Sequence, residues 1–78
     1  MPLDIRLENV IRRVFSIDAN DIDENWTSED IPEWDSTGHL ILILEIEKEF
    51  GIDVGVEDMF EVTRLGDLAQ VLKKKGIL

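Results

Sequence analysis

Trp34-Asp35-Ser36-Thr37-Gly38-His39-Leu40 runs straight into Ile41-Leu42-Ile43-Leu44-Glu45-Ile46-Glu47-Lys48-Glu49-Phe50, and Gly51-Ile52 follows. This stretch decides the fold. Asp35 and Ser36 are both residue types that open helices, because their side-chain oxygens accept free backbone N–H groups there. The most apolar segment of the chain comes next. Gly51 suits the left-handed position that closes a helix. The stretch predicts a helix from about Ser36 to Phe50, roughly 22 Å long at about 1.5 Å per residue. At about 100° per residue, Leu40, Ile43, Leu44, Ile46 and Phe50 share one broad face, the expected core side, with Glu45, Lys48 and Glu49 opposite. Ile41 and Leu42 fall outside that face. A small domain cannot bury a helix on all sides, so one or both are expected at the surface beside Ser36.

Upstream, Ser16 to Asp35 is a long connection carrying eight acids and no base. Ile17, Ile22, Trp26, Ile31 and Trp34 are expected to pin it to the body, since a structureless loop of this length is unusual in a compact domain. Thr27-Ser28-Glu29-Asp30 suits one helical turn capped by Thr27, stopped by Pro32. The start Asp21-Ile22-Asp23 invites a calcium-loop reading, which fails on spacing: Trp26 stands where glycine is needed and Pro32 where glutamate is needed. Further upstream, Leu3, Leu7, Val10, Ile11 and Val14 recur at helical spacing, predicting a first helix over about 3–16. Pro2 suits its first turn, and Asp4 and Glu8 complement its positive end.

Downstream, Phe50, Ile52, Val54 and Val56 alternate as in a strand, yet no second strand candidate exists to pair with them. The segment reads as an extended connector dropping alternate side chains into the core. Gly55 turns it into a short helix over about 56–61, with Met59 and Phe60 facing inward at least in part. Thr63 is a candidate cap for a last helix striped by Leu65, Leu68, Ala69 and Leu72. Asp67 suits its positive end and Lys73, Lys74 and Lys75 its negative end. Gly76 suits its close, with Ile77 folding back.

Seventy-eight residues predict a single domain over 1–78. There is no cysteine, hence no disulfide and no thiol in the chain. No apolar run approaches the roughly 20 residues that span a bilayer, and the default is a soluble, cytoplasmic monomer. The net charge of −10 is uneven. Val14 to Thr63 holds fifteen acids and the single base Lys48, while the rest of the chain is net positive. Such a surface disfavours nucleic acid and anionic membranes and attracts basic protein patches.

Chemistry concentrates at Ser36. His39, three residues on, is the only histidine, but no oxyanion hole or substrate pocket is legible, so a hydrolase is not expected. His39 reads as a surface residue of the first turn or a docking contact. One histidine and scattered carboxylates do not make a metal site. The residues alone leave Ser36 as a plain helix cap or as a site of modification, since a phosphate there would meet free N–H groups and the positive helix end.

Taken over nearly the whole chain, the pattern resembles the acyl carrier proteins. The likeness rests on Trp34 to Leu40, the aliphatic helix into Glu47-Lys48-Glu49-Phe50-Gly51-Ile52, and the long acidic first loop. It continues through Asp53-Val54, the short acidic helix around Glu57-Asp58, and Thr63-Arg64-Leu65-Gly66-Asp67-Leu68. The resemblance implies an all-α fold, a four-helix bundle of three longer helices and one short one. It implies 4′-phosphopantetheine attached to Ser36 from coenzyme A by a phosphopantetheinyl transferase. It implies a non-enzymatic carrier of acyl thioesters that serves fatty-acid, lipid or polyketide-type enzymes through their basic patches. Asp35, Glu47 and Glu57 are the contacts it implies by position. Thr37 stands where the family usually has leucine, which bears on transferase recognition. Ile41 stands where fatty-acid carriers commonly have an acid, making the partner surface more apolar. Together with Gly38-His39, these departures point to a dedicated carrier of a specialised pathway. The alternatives are an aminoacyl or peptidyl carrier of a peptide-synthetase-like system, served by adenylating enzymes, and an unmodified acidic adaptor.

Overall fold

The computed structural model describes residues 3–18 and 22–78; Pro2 and Asp21, with the roles expected of them, lie outside these. Four helices follow in order: α1 (Ile5–Phe15), α2 (Ser36–Phe50), α3 (Val56–Glu61) and α4 (Leu65–Lys74). No strand occurs among the described residues. The all-α architecture of three longer helices and one short helix matches the expectation.

Asp4 opens α1 by accepting the Arg6 N–H at 2.9 Å. The helix begins two residues later than expected, and Leu3 is buried just ahead of it. Its core face is Leu7, Val10, Ile11 and Phe15. Ser16 closes it in the left-handed region, φ 53°. α1 is then tied to the far end of α2. Arg6 donates to the Glu49 carbonyl at 2.9 Å and its carboxylate at 3.1 Å, and its guanidinium lies 4.7 Å from the centre of the Phe50 ring.

The long first loop is held as expected. Ile22, Ile31 and Trp34 are buried, and Ile17 and Trp26 pack against the same core. Thr27 and Asp30 form the anticipated turn: Asp30 Oδ2 accepts from Thr27 N at 3.0 Å, and Thr27 Oγ1 accepts from Glu29 N at 3.2 Å. The loop also pairs with the start of α4, where Leu65 N donates to the Trp26 carbonyl at 3.0 Å and Gly66 N to that of Glu24 at 2.7 Å. Burying these backbone groups in partnership avoids the cost of leaving them unmatched.

α2 corrects the sequence reading of its own faces. Leu42 is fully buried, together with Ile43, Ile46 and Phe50, whereas Leu40 and Leu44 are half exposed. Leu40 and Leu44, expected in the core, lie at the surface, and Leu42, placed outside the core face, is buried; of the pair Ile41 and Leu42, of which one or both were expected at the surface, Ile41 is the exposed one. The reason is rotational phase. Leu42, Ile46 and Phe50 recur every fourth residue, and the bundle takes that row as its core.

Gly51, at φ 65°, ends α2. Ile52 and Val54 then pack against the core in alternation, but Val56 breaks the pattern at 65% exposure. In α3, Met59 packs against the core while Phe60 points out at 72% exposure, which corrects its expected inward orientation. The residue that opens α4 is Arg64, one after the expected Thr63. Asp67 organises this start by accepting from Thr63 N, Thr63 Oγ1 and Arg64 N at 3.0, 3.2 and 3.2 Å. Partial burial raises the Asp67 carboxyl, but these bonds and the Arg64 charge outweigh it and hold it below the ordinary range. At the far end, Ile77 N donates to the Leu72 carbonyl at 2.9 Å, the expected fold-back after Gly76.

Candidate functional site

The N-terminus of α2 is assembled by the loop in front of it. Asp35 is the cap: its Oδ1 accepts from Gly38 N at 2.7 Å, and its carbonyl accepts from His39 N at 2.8 Å. Ser36 is thereby the first helical residue, exposed to solvent. The N–H groups of a first helical turn lack intrahelical acceptors, and the first turn of α2 contains no acid. Apart from the Asp35 cap, the helix end is free to favour an anion.

Gly38 is fixed by contact. A Cβ built there would lie 2.1 Å from the Glu33 carbonyl oxygen. The loop backbone therefore passes directly over the first turn of α2, and only a hydrogen side chain lets it do so.

His39 is where the sequence reading fell short. It is half-buried rather than a surface residue. Trp34 Nε1 donates to His39 Nδ1 at 2.9 Å, and His39 Nε2 donates to the Met59 carbonyl at 2.8 Å. The partners set the tautomer, because an indole N–H can only donate and a carbonyl can only accept. The imidazole also stacks on Trp34, with centroids 6.0 Å apart, and Trp34 packs on Phe15 at 5.8 Å. With both ring nitrogens engaged, His39 is not a base for Ser36. Its position four residues ahead of Ile43, which the sequence already assigns to the core face and the structure buries, was the available signal.

A cleft of about 440 Å³ opens beside Ser36. The loop and α2 contribute Ser28, Trp34, Asp35, Ser36 and His39; Phe60, Val62 and Thr63 form the facing wall. Outside the cleft, Leu40, Ile41 and Leu44 on α2 and Val56 on α3 leave apolar surface exposed, and the cleft residue Phe60 is itself exposed. Thr37 is also exposed on the first turn of α2.

The expected contact acids divide. Asp35 and Glu57 are exposed. Glu47 is half-buried, and its Oε2 accepts from Val54 N at 2.7 Å, so it holds the connector to α2. Asp58, beside Glu57, is buried and paired with Lys74 at 2.9 Å and Lys75 at 3.9 Å. The Lys74 hydrogen bond, with the charges of Lys74 and Lys75, lowers the Asp58 carboxyl against the opposing effect of burial. The same bond raises Lys74. The lysines expected to complement the end of α4 thus also clamp α3. Among the described residues, no group of three histidines, cysteines or carboxylates is placed to hold a metal ion, and no helix is long and apolar enough to cross a membrane.

Compared with models of known families, the chain matches the one described as a phosphopantetheine attachment site, over residues 6–72. No curated protein and no solved structure gives a significant match.

Proposed function

The chain belongs to the phosphopantetheine-attachment family, and on that premise we propose that it is a dedicated acyl carrier whose arm is attached at Ser36. The observation that carries this reading is the setting of Ser36. Its hydroxyl lies exposed on the first residue of α2, within the matched region, with Asp35 rather than Ser36 capping the helix. The hydroxyl is not consumed by the cap and is free to react.

The surroundings fit a phosphodiester. Helix-end N–H groups and the dipole favour its charge, and the cleft between Ser36 and Phe60 gives the arm room to lie. Attachment joins Ser36 Oγ to the phosphorus of the arm, breaks the pyrophosphate link of coenzyme A with release of its nucleotide half as adenosine 3′,5′-bisphosphate, and passes the hydroxyl proton to a base on the transferase. The arm supplies a thiol that carries acyl groups as thioesters, which the cysteine-free chain itself cannot do. The chain is a cosubstrate of its partner enzymes, delivering acyl groups to fatty-acid, lipid or polyketide-type biosynthesis.

Partner contacts fall on Asp35, Thr37, Ile41, Glu47 and Glu57. Glu47 contributes with the carboxylate oxygen not bound to Val54 N. The exposed Leu40, Ile41 and Leu44 support a partner surface with an apolar centre and a basic rim.

Intact-mass analysis after incubation with coenzyme A and a broad-specificity phosphopantetheinyl transferase tests this. The native chain should gain one phosphopantetheine and Ser36→Ala none, with the helical content of both unchanged. Loading of Ser36→Ala, or no loading of the native chain by any of several transferases, overturns the assignment.

A further inference from the structure

We propose that His39 is a positioning residue for attachment at Ser36, acting through Phe60: it fixes the end of α3 and with it the facing wall of the Ser36 cleft. The inference rests on the reading of Ser36 as the attachment point and goes beyond it.

α3 has little of its own to hold it in place. It is six residues long, too short to be stable alone. Its only buried residue is the charged Asp58; Met59 packs half-buried against the core, and Val56 and Phe60 point outward. One apolar contact leaves much of its placement to two polar ties. One is the Asp58–Lys74 pair, which joins α3 to the end of α4 at 2.9 Å. The other is the 2.8 Å bond from His39 Nε2 to the Met59 carbonyl, which joins α3 to the first turn of α2. Met59 is the residue before Phe60. A bond on its carbonyl fixes the peptide plane that carries Phe60, and Phe60 lines the cleft opposite Ser36.

The imidazole is itself held. Trp34, 5% exposed and packed on Phe15, donates to Nδ1 at 2.9 Å. A hydrogen-bonded chain thus runs from the core through Trp34 and His39 to the backbone beside Phe60. A purely structural histidine would need only to fill its site. This one transmits a fixed position from the core to a wall of the reactive cleft.

The test measures loading of Ser36 by a phosphopantetheinyl transferase with coenzyme A, with kcat and KM separated, alongside the NMR resonance of the Trp34 indole N–H. His39→Leu removes acceptor and donor. His39→Gln keeps one of each. Phe60→Ala removes the exposed ring without touching the chain of bonds. His39→Leu should slow loading by on the order of tenfold or more, chiefly in kcat, the scale of a misplaced reacting group, and should shift the indole resonance. His39→Gln should restore both in large part. Phe60→Ala should slow loading as His39→Leu does, with the indole resonance unmoved. The double variant should be no slower than either single one, because both act on the same wall. Native-rate loading of His39→Leu, additive losses in the double variant, or His39→Gln as slow as His39→Leu overturns the proposal. Should His39→Leu not fold, native-rate loading of Phe60→Ala overturns it. A native chain that is never loaded strikes down the Ser36 reading and this inference with it, whereas a loaded native chain isolates failure to His39.

Discussion

Gly38 shows how one missing methyl sets the site. In an exposed helical position, alanine is about 1 kcal/mol better than glycine. At Gly38 the added carbon would meet the Glu33 carbonyl oxygen at 2.1 Å, a backbone atom that cannot rotate away. The steric cost of forcing such a contact, about 1–3 kcal/mol, exceeds the propensity gain. Gly38→Ala should therefore destabilise the fold by up to about 2 kcal/mol net, measured by urea unfolding, and should slow loading of Ser36 because the loop over α2 must move. An unchanged or raised stability would show that the loop yields freely. Asp35 and Ser36 were legible in the sequence because capping is local chemistry: donor and acceptor are three residues apart. The role of His39 was not, because its partner Met59 lies twenty residues away and no local spacing encodes that bond.

The helices were legible at the scale of elements, but their faces were not always. α1 and α4 carry single apolar stripes, and their core residues Leu7, Val10, Ile11, Leu65, Leu68 and Leu72 are buried as expected. α2 is aliphatic at every position from Leu40 to Leu44, so its pattern contains no polar gap to fix the phase. Leu42→Ala should cost about 2–5 kcal/mol, as for other buried leucines. Leu44→Ala, half exposed, should cost under about 1 kcal/mol. Equal losses in chemical unfolding would refute the observed phase. The tie between α3 and α4 gives a pH window. The folded Asp58 carboxyl is lowered, so its contribution is complete above the ordinary aspartate value of about 3.9 and fades as pH falls through the lower folded value. Lys74 is raised, so its contribution is complete below the ordinary lysine value of about 10.4 and fades as pH rises through the higher folded value. The melting temperature should fall at both extremes, and Asp58→Asn should blunt both limbs. Asp67, also lowered, keeps part of the acid limb in that variant. An alkaline limb untouched by Asp58→Asn would show that the lysine bond adds nothing to the fold.

Charge acts on the molecule as a whole. The stretch from Val14 to Thr63 carries fifteen acids against one base, yet several of these acids have local work. Asp23, Asp30 and Asp35 each accept a nearby backbone N–H, and Glu49 and Asp58 meet bases from the two ends of the chain. Turn chemistry explains the choice of aspartate; it does not remove the mutual repulsion. The molecule measures 28 × 25 × 19 Å. Screening extends over about 30 Å at 0.01 M salt and about 10 Å at 0.1 M. In dilute buffer every acid feels every other, while at higher salt only neighbours interact. Salt also weakens the ion pairs, but exposed pairs are worth only about 0–1 kcal/mol each. Repulsion across a net charge of −10 is the larger effect. Raising NaCl from about 10 mM to about 150 mM should therefore raise the melting temperature by several degrees, since 1 kcal/mol corresponds to about 4–8 °C in a domain of this size. Magnesium should act in the same direction. With no cluster of metal ligands among the described residues, its effect should follow ionic strength without saturating at one ion per chain. Scanning calorimetry across both salts checks this. A melting temperature indifferent to NaCl would mean that the backbone bonds and ion pairs already neutralise the acids, while one that saturates with a single magnesium ion would mean that a site has formed where dispersed charge was expected.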